Sequence, residues 1–428
     1  MKLLFIYPRR GSEKRTFVQS FRSIFLHKVI FAPGLTYNVL AALTPKDYSI
    51  RIINEEYQKL DFDEECDCVG ITATTPIVNR AYAIADLFKE RGKKVIIGGC
   101  HASAIPDEAK QHADSVVIGN AEDTWPMLLK DMEKDALKPF YRQKGLIDPE
   151  HMPTPDRKYM KGSFFSDGVQ TSWGCSTGCY YCAITNSTFG KHHVHRDIPS
   201  IIQELRAIPQ KFLRIYDPSL TSNPKYTKEL FRNMIGLHKK FLCNGNIHVL
   251  GQDEELLSLA SEAGCLQWSV GLESISQNNL DSIGKRTNKV NDYASAIQKI
   301  HDHGMWVKGN FMFGFDYDYP DVFKKTRETI QSIEVDLPCF YIVTPLPGTP
   351  LFSEFKQQGR ILTKDWSLYD FGHVVYQPKN IPADVLFEKT YEIYDELYSP
   401  FNKIKRSLGG VKTDILSFAG TAIESLYY

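Results

Sequence analysis

The sequence lacks a long hydrophobic run and lacks an excess of charge of either sign. No apolar stretch approaches the ~18 consecutive residues that a membrane-spanning helix needs, and residues 1–7 are too short an apolar start for a signal peptide. Lysine plus arginine and aspartate plus glutamate both number 51, so no net charge attracts nucleic-acid phosphates. We therefore expect a cytoplasmic protein that has no transmembrane segment and does not bind nucleic acid.

Cysteine is too sparse and too unevenly spaced for a disulfide framework. The chain has nine cysteines, an odd number, and three of them cluster at positions 175, 179 and 182. Scattered cysteines in apolar segments fit a reducing compartment, so we predict packing roles for the other six. These six are Cys66, Cys68, Cys100, Cys243, Cys265 and Cys339.

The first third of the chain has the pattern of an α/β domain with a parallel sheet. Short runs rich in isoleucine, valine and leucine alternate with amphipathic stretches such as residues 78–91, whose apolar side chains recur at helical spacing. We predict a Rossmann-like domain over residues 1–140, followed by a Pro-, Asp- and Lys-rich linker over residues 141–164. The predicted strands are residues 2–7, 48–54, 67–72, 94–97 and 115–118.

A second series of strands and helices predicts a partial (β/α)6 TIM barrel over residues 165–360. Beyond it, aromatic and periodic sequence predicts a C-terminal helical region over residues 361–428, with helices at 382–398 and 411–428. The six predicted barrel strands are residues 168–172, 212–216, 246–250, 267–272, 306–313 and 339–343.

Three cysteines after one predicted strand indicate an iron–sulfur site. Cys175, Cys179 and Cys182 share a loop at the end of the barrel where barrel enzymes place their active sites. Their spacing lets the loop wrap one face of a four-iron, four-sulfur cluster, which leaves one iron without a protein ligand. Two alternatives stay open, namely chance clustering of structural cysteines and a zinc site completed by a nearby histidine. The nearby histidines are His192, His193 and His195.

This Cys-x3-Cys-x2-Cys loop resembles that of the radical S-adenosylmethionine (SAM) superfamily, and the resemblance covers residues 165–360. It implies a cluster that reduces SAM, which releases methionine and a 5'-deoxyadenosyl radical that abstracts a hydrogen atom from the substrate. It also implies an external electron donor such as flavodoxin or ferredoxin.

The same resemblance implies SAM-binding positions at the ends of barrel strands. Tyr181 occupies the aromatic position whose backbone contacts the adenine ring. Asp217 is the candidate for binding the amino group of SAM, although the usual Gly-Gly-Glu motif is absent here. Glu273 or Ser274 is the candidate for binding the ribose hydroxyls.

The first domain resembles the cobalamin-binding domain that is joined to many radical SAM proteins. Turns after its predicted strands carry glycines and hydroxyl groups, which let backbone amides approach a ligand. The Asp-x-His-x-x-Gly motif that ligates cobalt in other cobalamin enzymes is absent, and His101 either faces the cofactor or caps its own turn. The candidate cofactor-binding residues are Thr74, Gly98, Gly99, His101 and Gly119.

These features predict a radical SAM enzyme that uses cobalamin to transfer a methyl group to an unactivated carbon of a small or apolar substrate. One alternative is a radical cyclisation, desaturation or rearrangement without cobalamin turnover. Another is a non-catalytic zinc or iron–sulfur protein. Residues 366–374 resemble a segment near the substrate in cobalamin-linked members, or they seal the barrel. The sequence identifies no further catalytic side chain.

Overall fold

The computed structural model describes residues 1–10, 34–149, 152–160 and 162–398. The helix predicted at residues 411–428 lies outside these ranges. Within them, no helix is both long enough and apolar enough to cross a membrane.

Six parallel strands form the first sheet, in the order β2-β1-β3-β4-β5-β6. Both faces are covered, because Leu4 and Ile6 belong to one apolar core whereas Leu3 and Phe5 belong to another. The strands are β1 (Lys2–Tyr7), β2 (Ser49–Asn54), β3 (Cys68–Thr72), β4 (Lys94–Gly98), β5 (Ser115–Ile118) and β6 (Phe140–Arg142). The helices are α1 (Thr36–Leu43), α2 (Val78–Glu90), α3 (Cys100–Ala104), α4 (Pro106–His112) and α5 (Thr124–Glu133).

The five strands predicted for this sheet are confirmed, with ends that differ by one residue or none. Their continuous apolar runs are typical of strands buried on both faces. Strand β6 is an addition, since its three residues are too short to give a period. It pairs with β5 and crosses the predicted domain boundary at residue 140.

The second sheet also has six parallel strands, in the order β14-β13-β12-β11-β10-β7. Each strand lies beside its predecessor in the chain, which is the order of a partial (β/α)6 barrel. The strands are β7 (Ser166–Val169), β10 (Phe212–Ile215), β11 (Lys240–Gly245), β12 (Cys265–Glu273), β13 (Trp306–Phe313) and β14 (Leu337–Ile342), and a separate antiparallel pair is formed by β8 (Ser172–Trp173) and β9 (Val194–His195).

Nine α-helices of the described residues accompany these strands. They are α6 (Ile198–Ala207), α7 (Pro224–Met234), α8 (Ile247–Gln252), α9 (Glu254–Ala263), α10 (Gln277–Ser282), α11 (Tyr293–Asp302), α12 (Val322–Ser332), α13 (Pro350–Gln357) and α14 (Ala383–Leu397). The helix predicted at 382–398 is confirmed as α14.

The strand predicted at residues 246–250 is wrong, because residues 247–250 belong to helix α8 and Asn246 caps that helix. The third strand of the sheet is β11, which lies directly before it. Asn246 explains the change of structure, since its side chain accepts a hydrogen bond from the backbone N–H of His248 and so caps the helix.

The two faces of the second sheet differ in polarity. On the outer face, residues such as Leu213, Cys243 and Trp268 pack in one large apolar core with the surrounding helices. On the opposite inner face, alternate positions carry polar side chains. These are Arg214, Asn244, Ser269, Lys308 and Asn310. An inner face of this polarity is suited to bind a ligand.

Residues that follow β14 fasten the two domains together. Trp366 is 6% exposed and belongs to an apolar core of the first domain. A second contact joins α1 to the segment before β7, where the side-chain amide of Asn38 donates to the carbonyl of Met160 at 2.8 Å. The segments that follow the carboxyl ends of β4 and β14 also meet, since a Cβ at Gly348 would lie 3.0 Å from the Cβ of Ala104.

Candidate functional site

The cysteine loop leaves β8 through a turn that requires glycine. Gly174 has φ +76°, and a Cβ there would clash with the carbonyl oxygen of His192. Cys175 follows at once. Its backbone N–H donates to the carbonyl of Gly190 at 2.8 Å, and the Thr185 hydroxyl donates to its carbonyl at 2.8 Å. The first cysteine is therefore fixed at both backbone groups.

Asn186 fixes the other two cysteines. Its side-chain amide donates to the carbonyl of Cys179 at 3.0 Å and to that of Cys182 at 2.8 Å. Between them, the backbone N–H of Tyr180 donates to the carbonyl of Ile283 at 2.9 Å. Sequence analysis missed Asn186, which lies four residues beyond the last cysteine in a stretch without a recognisable pattern.

The three thiols suit a cluster better than a single zinc ion. All three cysteines are free. Across the described ranges of the chain, no three His, Cys, Asp or Glu side chains are close enough together to hold one metal ion. Zinc needs all its ligands within ~2.0–2.3 Å of one point, whereas a cubane takes each thiolate at a different iron. His195 instead stacks on Tyr226, with ring centroids 4.0 Å apart.

A buried ion pair stands beside this loop. Glu273 ends β12 with φ +64°, and its carboxylate accepts from the ammonium group of Lys285. Their side chains are 8% and 9% exposed. Burial lowers the pKa of Lys285, but attraction to Glu273, Cys179 and Cys182 outweighs it, so the pKa is raised. The predicted ribose ligand Glu273 thus lies near the cysteine loop, and Lys285 is a site residue that sequence analysis missed.

Two other predicted SAM ligands, Tyr181 and Ser274, lie near Glu273. Burial raises the pKa of the Tyr181 phenol, and the neighbouring Glu273 carboxylate raises it further. The hydroxyl of Ser274 accepts from the side-chain amide of Asn279 and from the backbone N–H of Ser276, both at 3.1 Å. Ser274 therefore keeps its own hydroxyl proton for another acceptor.

Asp217, the predicted ligand of the SAM amino group, is hydrogen-bonded by residues of its own domain. It is fully buried, and its carboxylate accepts from the backbone N–H of Thr171 at 2.7 Å. The hydroxyls of Thr171 and Ser172 also donate to it, at 2.5 and 2.6 Å. These hydrogen bonds hold the segment that leads into the cysteine loop, and the contact of Asp217 with the amino group of SAM stays a prediction.

Polar side chains of the inner face continue from the loop across the second sheet. The amide of Asn310 donates to the hydroxyl of Ser269 at 3.1 Å and to the carbonyl of Val270 at 3.0 Å. Arg214 donates to the side-chain oxygen of Asn244 at 3.4 Å. The inner face thus presents hydrogen-bonding groups on four neighbouring strands.

The carboxyl edge of the first sheet is lined by close backbone turns. Gly99 has φ +100°, and a Cβ there would lie 2.7 Å from the carbonyl oxygen of Ala73. The Ser103 hydroxyl joins two turns, because it donates to the carbonyl of Gly99 at 2.8 Å and accepts from the N–H of Gly119 at 3.0 Å. Gly98 ends β4 half-buried, and Thr74 is exposed. Few side chains therefore protrude from this edge, which leaves a surface that fits a flat ligand.

His101 does not face this edge. It is fully buried, with Nδ1 3.2 Å from the Thr75 hydroxyl and Nε2 3.2 Å from a Glu108 carboxylate oxygen. Its ring meets that of Trp366 edge-on, with centroids 5.2 Å apart. Burial lowers its pKa. Both ring nitrogens are engaged, so of the two predicted roles the structure favours internal hydrogen bonding over cofactor contact.

Known proteins share the sequence pattern of this chain. The radical SAM superfamily model matches residues 169–330. Bacteriochlorophyllide d C-12(1)-methyltransferase of Chlorobaculum tepidum is 31% identical over 355 residues, which cover 80% of this chain and 77% of that protein. Bacteriochlorophyllide d C-8(2)-methyltransferase of the same organism is 28% identical over 396 residues, which cover 85% of each chain.

Two solved structures share the fold. The cobalamin-dependent SAM radical enzyme OxsB, with aqua-cobalamin bound, matches with a TM-score of 0.70 at 14% identity, over 95% of this chain and 68% of that one. The radical SAM methyltransferase TsrM from Kitasatospora setae, with cobalamin and an iron–sulfur cluster bound, matches with a TM-score of 0.65 at 14% identity, over 83% of this chain and 78% of that one. These similarities establish the fold and confirm the predicted α/β class.

Proposed function

Since the chain belongs to the radical SAM methyltransferase family that includes bacteriochlorophyllide d C-12(1)-methyltransferase, we propose that it methylates an unactivated carbon with the help of cobalamin. When bound, the cluster and SAM supply an electron and a 5'-deoxyadenosyl radical, and cobalamin supplies the methyl group. The observation that carries the proposal is the juxtaposition of three fixed thiols with the buried Glu273–Lys285 pair.

Each of these residues has a defined task in the proposal. Cys175, Cys179 and Cys182 hold the cluster. Lys285 orients the Glu273 carboxylate, so that its oxygens can accept hydrogen bonds from a ribose diol. Asp217 holds the strand that enters the loop.

The glycine-lined edge of the first sheet supports the cobalamin part of the proposal. A flat macrocycle needs a surface with few protruding side chains, and Gly98, Gly99 and Gly119 supply it. The Ser103 hydroxyl links two of these turns through its hydrogen bonds to Gly99 and Gly119. The fold is also that of proteins whose solved structures contain cobalamin.

Product analysis after anaerobic reconstitution tests the proposal. The full chain is loaded with iron, sulfide and hydroxocobalamin, then given methyl-labelled SAM, a strong reductant and bacteriochlorophyllide d as trial substrate. We expect iron and cobalt in the protein, and both 5'-deoxyadenosine and S-adenosylhomocysteine as products. Cys182→Ala should abolish both products, whereas the matched variant of a buried cysteine elsewhere, Cys66→Ala, should retain them.

The alternatives give different results in the same experiment. Formation of 5'-deoxyadenosine without S-adenosylhomocysteine or bound cobalt would favour a cyclisation, desaturation or rearrangement. Zinc in place of iron, with no SAM cleavage, would favour a non-catalytic metal protein.

A further inference from the structure

Helix α14 presents an aromatic stripe to the edge strand β14. Phe387, Tyr391, Tyr394 and Tyr398 recur at the spacing of one helix face. The Tyr394 hydroxyl accepts from the N–H of Phe340 at 2.8 Å and donates to its carbonyl at 2.9 Å. Tyr398 donates to the carbonyl of Pro338 at 2.6 Å. The stripe therefore stands beside the open edge of the second sheet.

The loop at residues 370–373 extends this aromatic stripe towards the inner face of the second sheet. We call the stripe together with Phe371 of this loop the aromatic wall. The N–H of Ile342 donates to the carbonyl of Phe371 at 2.7 Å, so the loop pairs with the end of β14. The Phe371 ring meets the ring of Tyr341 edge-on, with centroids 6.3 Å apart. Tyr341 pairs in register with Met312, which lies two residues beyond Asn310 towards the carboxyl ends of the strands. The wall thus reaches the end of the sheet where the predicted SAM ligands lie.

Within the loop, Asp370 braces the ring of His373. The Nδ1 atom lies 2.9 and 3.0 Å from the two carboxylate oxygens. Asp370 also accepts from the backbone N–H groups of Gly372 at 2.9 Å and His373 at 3.1 Å. A carboxylate oxygen accepts from a ring N–H, so Nδ1 carries a proton and, in the neutral imidazole, Nε2 carries the lone pair. In the described ranges no residue hydrogen-bonds Nε2.

This histidine stands among exposed aromatic rings. The His373 ring lies 5.9 Å from that of Phe387, which lies 4.8 Å from that of Tyr391. The exposed fractions of Phe387 and Tyr391 are 37% and 45%. Grouped aromatic exposure of this kind marks a binding surface. A histidine whose Nδ1–H is held by a carboxylate has the arrangement of a metal ligand.

We propose that His373 binds, through Nε2, the central metal ion of a metallated tetrapyrrole substrate whose ring packs on Phe371, Phe387 and Tyr391. The inference rests on the proposed function and on the bacteriochlorophyllide substrates named for the two similar methyltransferases. A chelated metal ion with an open axial position takes a neutral imidazole, and the apolar macrocycle covers the aromatic wall. Asp370 is the positioning residue.

Porphyrin titration of the full reconstituted chain tests this assignment. The probes are zinc protoporphyrin IX and metal-free protoporphyrin IX. We expect a red shift of the zinc porphyrin Soret band on binding to the unmodified chain. In His373→Ala the Soret shift should be absent, and the affinity for zinc protoporphyrin IX should fall by at least about tenfold. Asp370→Asn should weaken binding of the same probe by about 10–100-fold. His303→Ala, a histidine at the end of α11, is the matched control and should change neither.

Metal-free protoporphyrin IX separates ligation from ring packing. Its affinity should be similar in all four proteins, which also shows that the variants are folded. Equal zinc porphyrin affinity in His373→Ala and the unmodified chain, or a retained Soret shift, would overturn the inference. If 5'-deoxyadenosine and S-adenosylhomocysteine still form in that case, the proposed function stands without it. If neither product forms in the unmodified chain, the proposed function itself fails.

Discussion

At the scale of single residues, Lys285 links the end of β12 to the cysteine loop. Its ammonium group pairs with Glu273, and both side chains are almost fully buried. Gly271 makes the pair possible, because a Cβ at that position would clash with both charged groups. Removal of one partner from such a pair leaves an uncompensated buried charge, which is strongly destabilising.

Replacement of this lysine is expected to affect both stability and SAM cleavage. Lys285→Met should lower the free energy of unfolding by about 3–5 kcal/mol, since the Glu273 carboxylate is left buried without its partner. The double variant with Glu273→Gln removes both charges and should regain most of that stability, but not 5'-deoxyadenosine formation. Denaturant unfolding and product analysis measure the two effects. A single variant as stable as the unmodified chain would contradict the structural role given to this pair.

From the sequence, the residue types at the site could be predicted better than the directions in which their side chains point. The three cysteines were recognisable because their spacing and position after a strand are local features. Asp217 and His101 also lie at strand ends as predicted, but their side chains turn inward to donors and acceptors on other elements. Lys285 is 12 residues from Glu273, and only the fold brings them together.

At the scale of elements, the carboxyl edge of the first sheet is where a parallel sheet binds its ligands. Thr74 stands at this edge with an exposed side chain, directly after the turn that follows β3. A bulky residue there would project over the glycine-lined surface without disturbing the core. A substitution at this position can therefore affect ligand binding without affecting folding.

A phenylalanine at this position is expected to obstruct cobalamin. Thr74→Phe should keep its stability within about 0.5 kcal/mol, as surface substitutions usually do. We expect hydroxocobalamin binding to fall by at least about tenfold, or 1.4 kcal/mol. Equilibrium dialysis with detection of the corrinoid absorbance measures this loss. The control is Lys94→Phe, an exposed position at the amino end of β4 on the opposite edge. Equal binding by both variants would place cobalamin elsewhere.

Element prediction succeeded where apolar runs were long and failed where they were short or repeated. The strands β1 to β5 are isolated apolar runs between turn residues. In contrast, residues 240–245 and 247–252 are two short apolar segments in succession, and periodicity alone does not separate strand from helix in such segments. The hydrogen bond from His248 to the Asn246 side chain decided the outcome.

At the scale of the whole molecule, the segment after β14 connects the two domains through hydrogen bonds and packing contacts. The Trp366 indole N–H donates to the Glu108 carboxylate at 3.0 Å, and that carboxylate also contacts His101 and Tyr82. Next to it, the side-chain amide of Asn79 donates to Asp365 at 2.8 Å. These contacts thus join α2 and α4 of the first domain to a segment that returns to β14 and α14. Neither role predicted for residues 366–374 describes Trp366, which packs in an apolar core of the first domain, and substrate contact by His373 stays a proposal.

Loss of the Trp366 side chain should loosen this arrangement. Trp366→Ala removes a large buried ring and is expected to cost about 3–5 kcal/mol. Because the anchor sets how the two sheet edges face each other, we also expect faster proteolysis and a lower yield of both SAM-derived products. Tyr319→Ala, which removes an aromatic ring that is 58% exposed, is the control and should stay within about 0.5 kcal/mol. Unfolding monitored by circular dichroism, limited proteolysis and product analysis test the three effects. If Trp366→Ala unfolds like the unmodified chain while product formation falls, the ring acts on the site and not on the joint between the domains.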